Sequence, residues 1–394
     1  MDVMGVRSAV PGTLAEAAAT LLDAAASKAA VAFRGGGTEL GFGYPLSRVD
    51  VLLRTDRLTR IVEYAPADLV VEVEAGLTLA GLQTALAAQG QRLALDAPLP
   101  ELATLGGLVA TNAFGPLRAR FGSIRDLIVG VSLIRADGAR VRGGGKVVKN
   151  VAGFDLPKLA VGSLGTLGML ATLTFRLHPL PETTSVACVR DCAGPQLRRF
   201  ARELVARQLE VSALVAIRRE AAYDVYVVFE GFEAGVAEQA ERFRTLASEL
   251  GARADGVESN RQPTRLDETV RTYGNVRLRL AVPPASLDVL ERDALGPLYD
   301  AFADAKASVY PSLGVAFFSA YAGDDSGAER IVAARVVAER LGGNAVVLDR
   351  LPAALSERVD VYGTLPPSFP LMARLKDRFD PEHRLNPGRF LGGL

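Results

Sequence analysis

The order of apolar and polar residues predicts alternating helices and strands in the first part of the chain. Residues 13–30 are rich in alanine and leucine, and Thr13 with Glu16 has the capping-box spacing that begins many helices. Residues 78–89 predict a second helix that ends at Gly90. Short apolar runs predict strands at 31–33, 48–53, 69–74, 127–134, 139–142 and 169–177. The last three of these runs are assigned to a second sheet.

The run His178-Pro179-Leu180-Pro181 interrupts this pattern and predicts a domain boundary. Strand and helix patterns alternate again beyond it. Strands are predicted at 186–189, 213–217 and 223–228, and helices at 196–208 and 233–249. A comparable set of segments follows at 276–282, 285–302, 308–321 and 330–341. The second part of the chain therefore predicts a separate α+β domain.

Three glycine-rich loops, at residues 34–38, 104–115 and 162–168, each lie beside an apolar run. Glycine lets backbone N–H groups approach a phosphate closely and adopts positive φ without steric cost. One such loop can simply be a turn, but three in one region favour a single extended cofactor that carries phosphate. The G-x-G-x-x-G spacing of a Rossmann domain does not follow the first strand, so that fold is not indicated.

These loops, together with further motifs, resemble a known family. The motifs are residues 34–38, 104–116, 121–126, 144–156, 162–168 and 379–389. They are similar to the FAD-binding proteins of the vanillyl-alcohol oxidase/PCMH type. The match from Gly106 to Pro181 is most similar to the FAD-binding subunits of bacterial glycolate oxidases. The resemblance covers residues 30–182 and 376–394, and the middle of the chain is placed by position alone.

The resemblance implies an α+β protein with three parts. Residues 1–181 would form a PCMH-type FAD-binding domain made of two α/β subdomains. Residues 182–375 would form an α+β cap domain on the substrate side. Residues 376–394 would form a C-terminal tail that packs on the FAD domain.

The resemblance also implies which residues bind FAD. The first loop would hold the pyrophosphate, the second would lie under the flavin ring and the ribityl chain, and the third would border the pyrophosphate and adenine. The candidate residues are Arg34, Gly35, Gly36, Gly37, Thr38, Thr104, Gly106, Gly107, Thr111, Asn112, Gly115, Lys149, Ser163, Gly165, Thr166 and Met169. Many relatives attach flavin through histidine or cysteine, but neither residue type occurs inside these loops, so we expect non-covalent FAD.

Basic residues cluster between positions 115 and 150, and Arg125 and Lys149 lie inside the family-like motifs. Their charges can neutralise FAD phosphates, bind a carboxylate substrate or dock an acidic partner. A solvated basic face is the equally weighted alternative.

No catalytic residue is assigned. The 2-hydroxy-acid dehydrogenases of this fold use a histidine-rich metal site, which this chain with only His178 and His383 does not reproduce. Leu164 also stands where catalytic relatives commonly have glutamate. A base would have to come from a partner subunit or from an unfamiliar group, which could be a carboxylate or a tyrosine such as Tyr273, Tyr310, Tyr321 or Tyr362, and nothing in the sequence singles one out.

The amino-acid composition limits the classes of function and the cellular locations that we expect. The 394 residues include 45 basic and 45 acidic side chains, which gives no indication of nucleic-acid binding. Cys188 and Cys192 suit a reducing compartment and are too few to hold an iron–sulfur cluster alone. No signal peptide is evident at the N-terminus, and the uncharged run at 159–175 is too short and polar for a membrane span.

The function that the resemblance implies is that of an FAD-binding subunit in a multi-subunit glycolate (2-hydroxy acid) dehydrogenase. Such an assembly oxidises glycolate to glyoxylate and passes electrons to an acceptor other than NAD. The implied partners are a larger flavoprotein subunit and an iron–sulfur subunit. The expected location is the cytoplasm, or the periphery of the inner membrane with contact only through partners. The alternatives are an autonomous FAD-dependent hydroxy-acid or alditol oxidoreductase and a non-catalytic structural subunit.

Overall fold

The computed structural model describes residues 5–145, 154–256, 263–323 and 327–394. The chain divides into two compact units. The first contains Met1–Phe114, Gly122–Leu180 and Thr364–Leu394, and the second contains Gly115–Phe121 and Pro181–Gly363. In this division the segment that returns to the first unit begins at Thr364. The functions expected for the three parts of the chain stay predictions.

The first unit begins with a three-stranded parallel sheet. Its strands are, in spatial order, Arg7–Ala9, Val51–Arg54 and Val31–Arg34. The helix Leu14–Ala26 packs its apolar residues on this layer. Thr13 Oγ1 accepts a hydrogen bond from Glu16 N at 3.2 Å, as the capping-box spacing predicted, while Glu16 Oε2 accepts one from Gly12 N at 2.8 Å rather than from the N-cap Thr13.

A five-stranded antiparallel sheet forms the second layer of this unit. Its strands are, in spatial order, Ile61–Ala65, Val70–Glu74, Met169–Arg176, Ile128–Ile134 and Arg140–Gly144. Gln91–Arg92 pairs with His178–Pro179. The helices are Leu79–Ala87, Leu105–Thr111, Ile124–Leu127 and Leu156–Ala160. One face of the sheet and the first three helices share an apolar core, as an alternating buried strand pattern requires.

The C-terminal segment completes the first unit. It contains the helix Phe369–Phe379 and a single turn at Leu391–Gly393. Leu385 forms a parallel bridge with Val31. The Arg384 guanidinium is buried and donates to the Ala136 carbonyl oxygen at 3.0 Å. The tail is therefore held by backbone pairing and buried side-chain contacts together.

The second unit is built on an eight-stranded antiparallel sheet. Its strands are, in spatial order, Ala254–Gly256, Thr183–Cys192, Ala222–Gly231, Ala213–Arg219, Lys306–Tyr310, Val315–Ala320, Val276–Ala281 and Asn344–Val347. Helices include Gly194–Ala206, Glu233–Glu249, Pro263–Arg271, Leu287–Leu290, Gly296–Ala301, Ala328–Arg340 and Ala353–Ser356, and the short helix Arg118–Phe121 also belongs here. Most of them cover one face of the sheet and bury a single large apolar core.

The predicted α+β class is confirmed. The strands Arg7–Ala9 and Ile61–Ala65 were missed, since the first is very short and the second lies at a sheet edge with exposed side chains. The segment 308–321, predicted as one element, is two strands. The predicted helix at 285–302 is broken by a π-helical turn at Glu291–Leu295. Within the described ranges no helix is long and apolar enough to cross a membrane.

Candidate cofactor-binding cleft

The first unit contains an open cleft of about 780 Å³. Its walls come from residues 33–40, 104–111 and 164–170, with Asn386 and Arg389 from the C-terminal segment. The predicted site residues that line it are Arg34, Gly35, Gly36, Gly37, Thr38, Thr104, Gly106, Gly107, Thr111, Gly165 and Met169. The fold therefore brings parts of all three glycine-rich loops to one place.

Several of these glycines are required by packing within the protein itself. A Cβ on Gly36 would overlap the Leu102 carbonyl oxygen, and one on Gly35 would overlap Thr104 Oγ1. A Cβ on Gly106 would lie 2.8 Å from the carbonyl oxygen of Ala75. The absence of side chains thus lets the first two loops pack backbone against backbone. The sequence interpretation assigned these glycines to ligand approach or to turns and did not foresee this packing role.

Gly107 differs from the other glycines in the cleft. A Cβ there would meet only Thr104 Oγ1 within 4 Å, at 3.2 Å, and would otherwise enter open space. Thr104 caps the helix Leu105–Thr111 by accepting a hydrogen bond from Gly107 N at 3.2 Å. The backbone at Gly107 is therefore bare on its cleft side for a reason that protein packing does not supply. An extended cofactor lying against this wall fits that observation.

The third glycine-rich loop is held by hydrogen bonds from two directions. Gly162 N and Leu164 N donate to the Val109 and Ala110 carbonyl oxygens at 2.9 Å each. Asn386 Nδ2 donates to the Leu164 carbonyl oxygen at 2.6 Å. Leu164 is 4% exposed and adopts a φ of +50°, which is a strained conformation. The hydrogen bonds at its own N–H and carbonyl groups stabilise this conformation. The loop is thus positioned by the second glycine loop on one side and by the tail on the other.

A buried ion pair ties the same loop to the tail. Lys376 Nζ donates to Asp380 Oδ2 at 2.6 Å, to the Thr166 carbonyl oxygen at 2.8 Å and to the Leu385 carbonyl oxygen at 3.0 Å. The Lys376 and Asp380 side chains are 1% and 0% exposed. Burial lowers the pKa of Lys376, and the negative charge of Asp380 opposes that change. All three ammonium donors are satisfied, so the pair acts as a fixed clamp.

Five predicted residues lie elsewhere. Ser163 and Thr166 line a second cavity of about 1040 Å³ in the first unit, which Arg125 also lines. Asn112 ends the helix Leu105–Thr111 in a left-handed conformation, and its buried Oδ1 has no hydrogen-bond partner within the described residues. Gly115 belongs to the second unit, and Lys149 lies outside the described residues. Roles for these residues stay predictions.

Sequence reasoning missed two residues of the cleft. Asn386 Oδ1 accepts a hydrogen bond from Phe33 N at 3.1 Å. Arg389 Nε donates to the Phe42 carbonyl oxygen at 3.0 Å, and its Nη2 donates to the carbonyl oxygens of residues 39 and 40. Both lie in the C-terminal motif at 379–389, which signalled that the tail matters. Linear spacing contains no information on which of its side chains reach the first loop.

The remaining chemically distinctive side chains lie outside this lining. Cys188 and Cys192 are free and buried, and burial raises their thiol pKa values to about 11 and about 12. His383 Nε2 lies 2.8 Å from Asp377 Oδ1 near the protein surface. Across the part of the chain that the structure describes, no group of three or more His, Cys, Asp or Glu side chains is placed to hold a metal ion.

Comparison with known proteins agrees with this geometry. Residues 7–144 match the family described as FAD binding domain. The glycolate oxidase subunit GlcE of Escherichia coli is 36% identical over 162 residues, which cover 41% of this chain and 46% of the relative. A D-lactate dehydrogenase of Archaeoglobus fulgidus is 28% identical over 98% of this chain and 91% of its own length. The chain thus aligns with less than half the length of the glycolate oxidase subunit.

Solved structures show the same fold over nearly the whole chain. p-Cresol methylhydroxylase superimposes with a TM-score of 0.72 at 15% identity, covering 97% of this chain and 88% of the other. Alkyldihydroxyacetonephosphate synthase superimposes with a TM-score of 0.73 at 16% identity, covering 96% and 75%. These structural matches confirm the fold class that the motifs predicted, and the family match together with the glycolate oxidase subunit confirms the resemblance. The chain therefore carries a PCMH-type FAD-binding domain, has FAD as its cofactor, and is related to the glycolate oxidase subunits.

Proposed function

We propose that this chain is the FAD-binding subunit of a multi-subunit dehydrogenase that oxidises glycolate, or a similar 2-hydroxy acid, and transfers the electrons to an acceptor other than NAD. The observation that carries the proposal is the convergence of three glycine-rich loops on one cleft, the first two of which lie in the residues that match the FAD binding family. The names of the relatives, glycolate oxidase subunit and D-lactate dehydrogenase, support the substrate class.

The cleft offers what a flavin dinucleotide requires. The backbone N–H groups of Gly37 and Gly107, the Thr38 hydroxyl and the Arg34 guanidinium can meet the negative charge of the pyrophosphate. Apolar side chains, such as Leu108 on the helix Leu105–Thr111, exclude water from the flat part of the cofactor. When bound, FAD supplies a two-electron acceptor for oxidation of a CH–OH group.

The residues that line the cleft support the proposal that oxidation of the substrate depends on a partner subunit. Among its described residues the titratable side chains are Arg34, Glu39 and Arg389, and Arg389 is committed to three backbone carbonyl groups. Leu164 adds apolar surface where catalytic relatives have a glutamate. Glu39 is the one carboxylate of this described lining. We assign removal of the substrate hydroxyl proton to another subunit, with a larger flavoprotein and an iron–sulfur protein as the proposed partners.

The first test is an anaerobic absorption measurement on the purified chain loaded with FAD. We expect a bound, oxidised flavin spectrum that does not bleach when glycolate is added to the chain alone. Bleaching should occur when the same chain is purified with its partner subunits. Failure to bind FAD would overturn the cofactor site, while full bleaching of the isolated chain would overturn dependence on a partner.

One observation favours a second candidate, an autonomous FAD-dependent 2-hydroxy-acid dehydrogenase. The match to the archaeal D-lactate dehydrogenase extends over 91% of that protein. None of Tyr273, Tyr310, Tyr321 and Tyr362 lines the described cleft, and the Tyr310 hydroxyl is buried in the second unit, where it donates to Asp267 Oδ2 at 2.6 Å. Bleaching by D-lactate in the isolated chain is the result that this candidate requires.

A further inference from the structure

The third glycine-rich loop borders a second cavity besides the cofactor cleft. Leu164 and Gly165 line the cleft. Ser163 and Thr166 line the second cavity, whose volume is about 1040 Å³. Its other walls include the short helix that precedes this loop and the C-terminal segment, all within the first unit. The two cavities share no lining residue, so the second is a separate candidate site.

Most of the wall of this second cavity is apolar, and its apolar side chains are incompletely buried. Lys376 is the one fully buried residue among the eleven of the helix Phe369–Phe379, which forms part of the wall. The half-buried apolar residues of the lining are Leu159, Val161, Met372, Leu375, Phe390 and Leu394. Because these side chains converge on one cavity, the apolar part of a ligand would remove all of them from water together.

The exposed residues of this described lining are all charged, and we call them the mouth of the cavity: Arg125, Asp155 and Lys158. The hydrogen bond from Lys158 lowers the pKa of the Asp155 carboxyl group, and the positive charge of Arg125 adds to that effect. Two cations thus face one carboxylate, so the mouth keeps a net positive charge. Lys376 also lines the cavity, but the adjacent Asp380 balances its charge.

We propose that this cavity binds a small amphipathic carboxylate, a molecule with one carboxylate group and an extended apolar chain. The Arg125 guanidinium offers the planar pair of N–H donors that a carboxylate accepts. The apolar wall receives the chain, and the net positive mouth disfavours a cationic head group. The volume is comparable with that of small-molecule sites, which is about 300–1,000 Å³. The site goes beyond the proposed oxidation and does not depend on it.

Binding of sodium decanoate to the FAD-loaded, full-length chain tests the proposal, with decanol as the neutral analogue of equal chain length. Isothermal titration calorimetry below the micelle-forming concentration measures both affinities. We expect one decanoate per chain, decanol bound about tenfold more weakly, and no release of FAD into the filtrate. Release of FAD by decanoate would show that the cofactor itself occupies the cavity, and it would overturn the proposal.

Two variants separate the roles of the mouth and the wall. Arg125→Gln should weaken decanoate binding about tenfold and leave decanol unchanged, since only the charge-assisted contact is lost. Leu375→Ser should weaken both ligands, because it removes apolar wall. The matched controls Arg48→Gln and Leu22→Ser change exposed residues outside the cavity and should alter neither affinity. An unchanged Tm and FAD content verify folding. Absence of saturable decanoate binding, or equal decanoate affinity in the two arginine variants, overturns the proposal.

Discussion

Replacing Lys376 with methionine tests how the third loop of the cleft is held. Methionine keeps most of the apolar stem but removes the ammonium group, so the three hydrogen bonds to Asp380 Oδ2 and to the Thr166 and Leu385 carbonyl oxygens are lost. Asp380 is 0% exposed and would retain only the donor Leu385 N at 2.7 Å. The variant therefore leaves a buried carboxylate without its counter-charge.

Breaking a buried ion pair by removing one partner costs about 3–5 kcal/mol of unfolding free energy. For a folded unit of roughly 200 residues, this corresponds to a decrease in Tm of about 6–20 °C. Because Thr166 lies in the third loop, FAD affinity should fall together with stability. The double variant Lys376→Met with Asp380→Asn should recover much of the loss, since it removes the charge and keeps an acceptor for Leu385 N.

Urea denaturation and differential scanning calorimetry of the three proteins measure these differences. Lys158→Met is the matched control, because Lys158 forms an ion pair with Asp155 in which both side chains are about half exposed. Its removal should cost less than about 1 kcal/mol. A loss below about 1 kcal/mol for Lys376→Met as well, or a double variant less stable than the single one, would refute the clamp.

Three further predictions concern other sites. Gly36→Ala should lower both Tm and FAD affinity, because the added Cβ overlaps a carbonyl oxygen of the facing loop. Gly107→Ala should weaken FAD binding with little change in the Tm of the apoprotein, and equal Tm losses in the two variants would contradict this difference. Burial raises the pKa of Glu291 in the folded protein. Its contribution to the unfolding free energy is therefore complete below pH 4.5 and is lost as the pH rises through the folded pKa. Urea titrations at several pH values should show this loss in the parent protein and not in Glu291→Gln. Cys188 and Cys192 should react with a thiol reagent at pH 8 only after denaturation, since their pKa values are raised to about 11 and about 12.

Local sequence signals predicted most of the regular structure. Thr13 and Glu16 positioned the first helix because a cap depends on residues three positions apart. The helix Glu233–Glu249 has the bounds that its pattern predicted. The π-helical turn at Glu291–Leu295 was not foreseen. Its first residue, Glu291, accepts a partly buried hydrogen bond from the Tyr223 hydroxyl across 68 positions of sequence.

In the cofactor cleft, too, some features followed from local sequence and others only from tertiary contacts. Composition and glycine spacing alone indicated a phosphate-bearing cofactor and excluded a Rossmann loop, since both inferences depend on neighbouring residues. The tertiary structure decided that Asn386 and Arg389 border the cleft and that Lys376 bonds to Thr166 across 210 positions. It also decided that Gly36 is needed for packing against Leu102, and that a Cβ on Gly107, among the described glycines of the cleft, would meet only Thr104 Oγ1. Such contacts form only when the folded chain brings distant segments together, and no local spacing along the sequence encodes that closure.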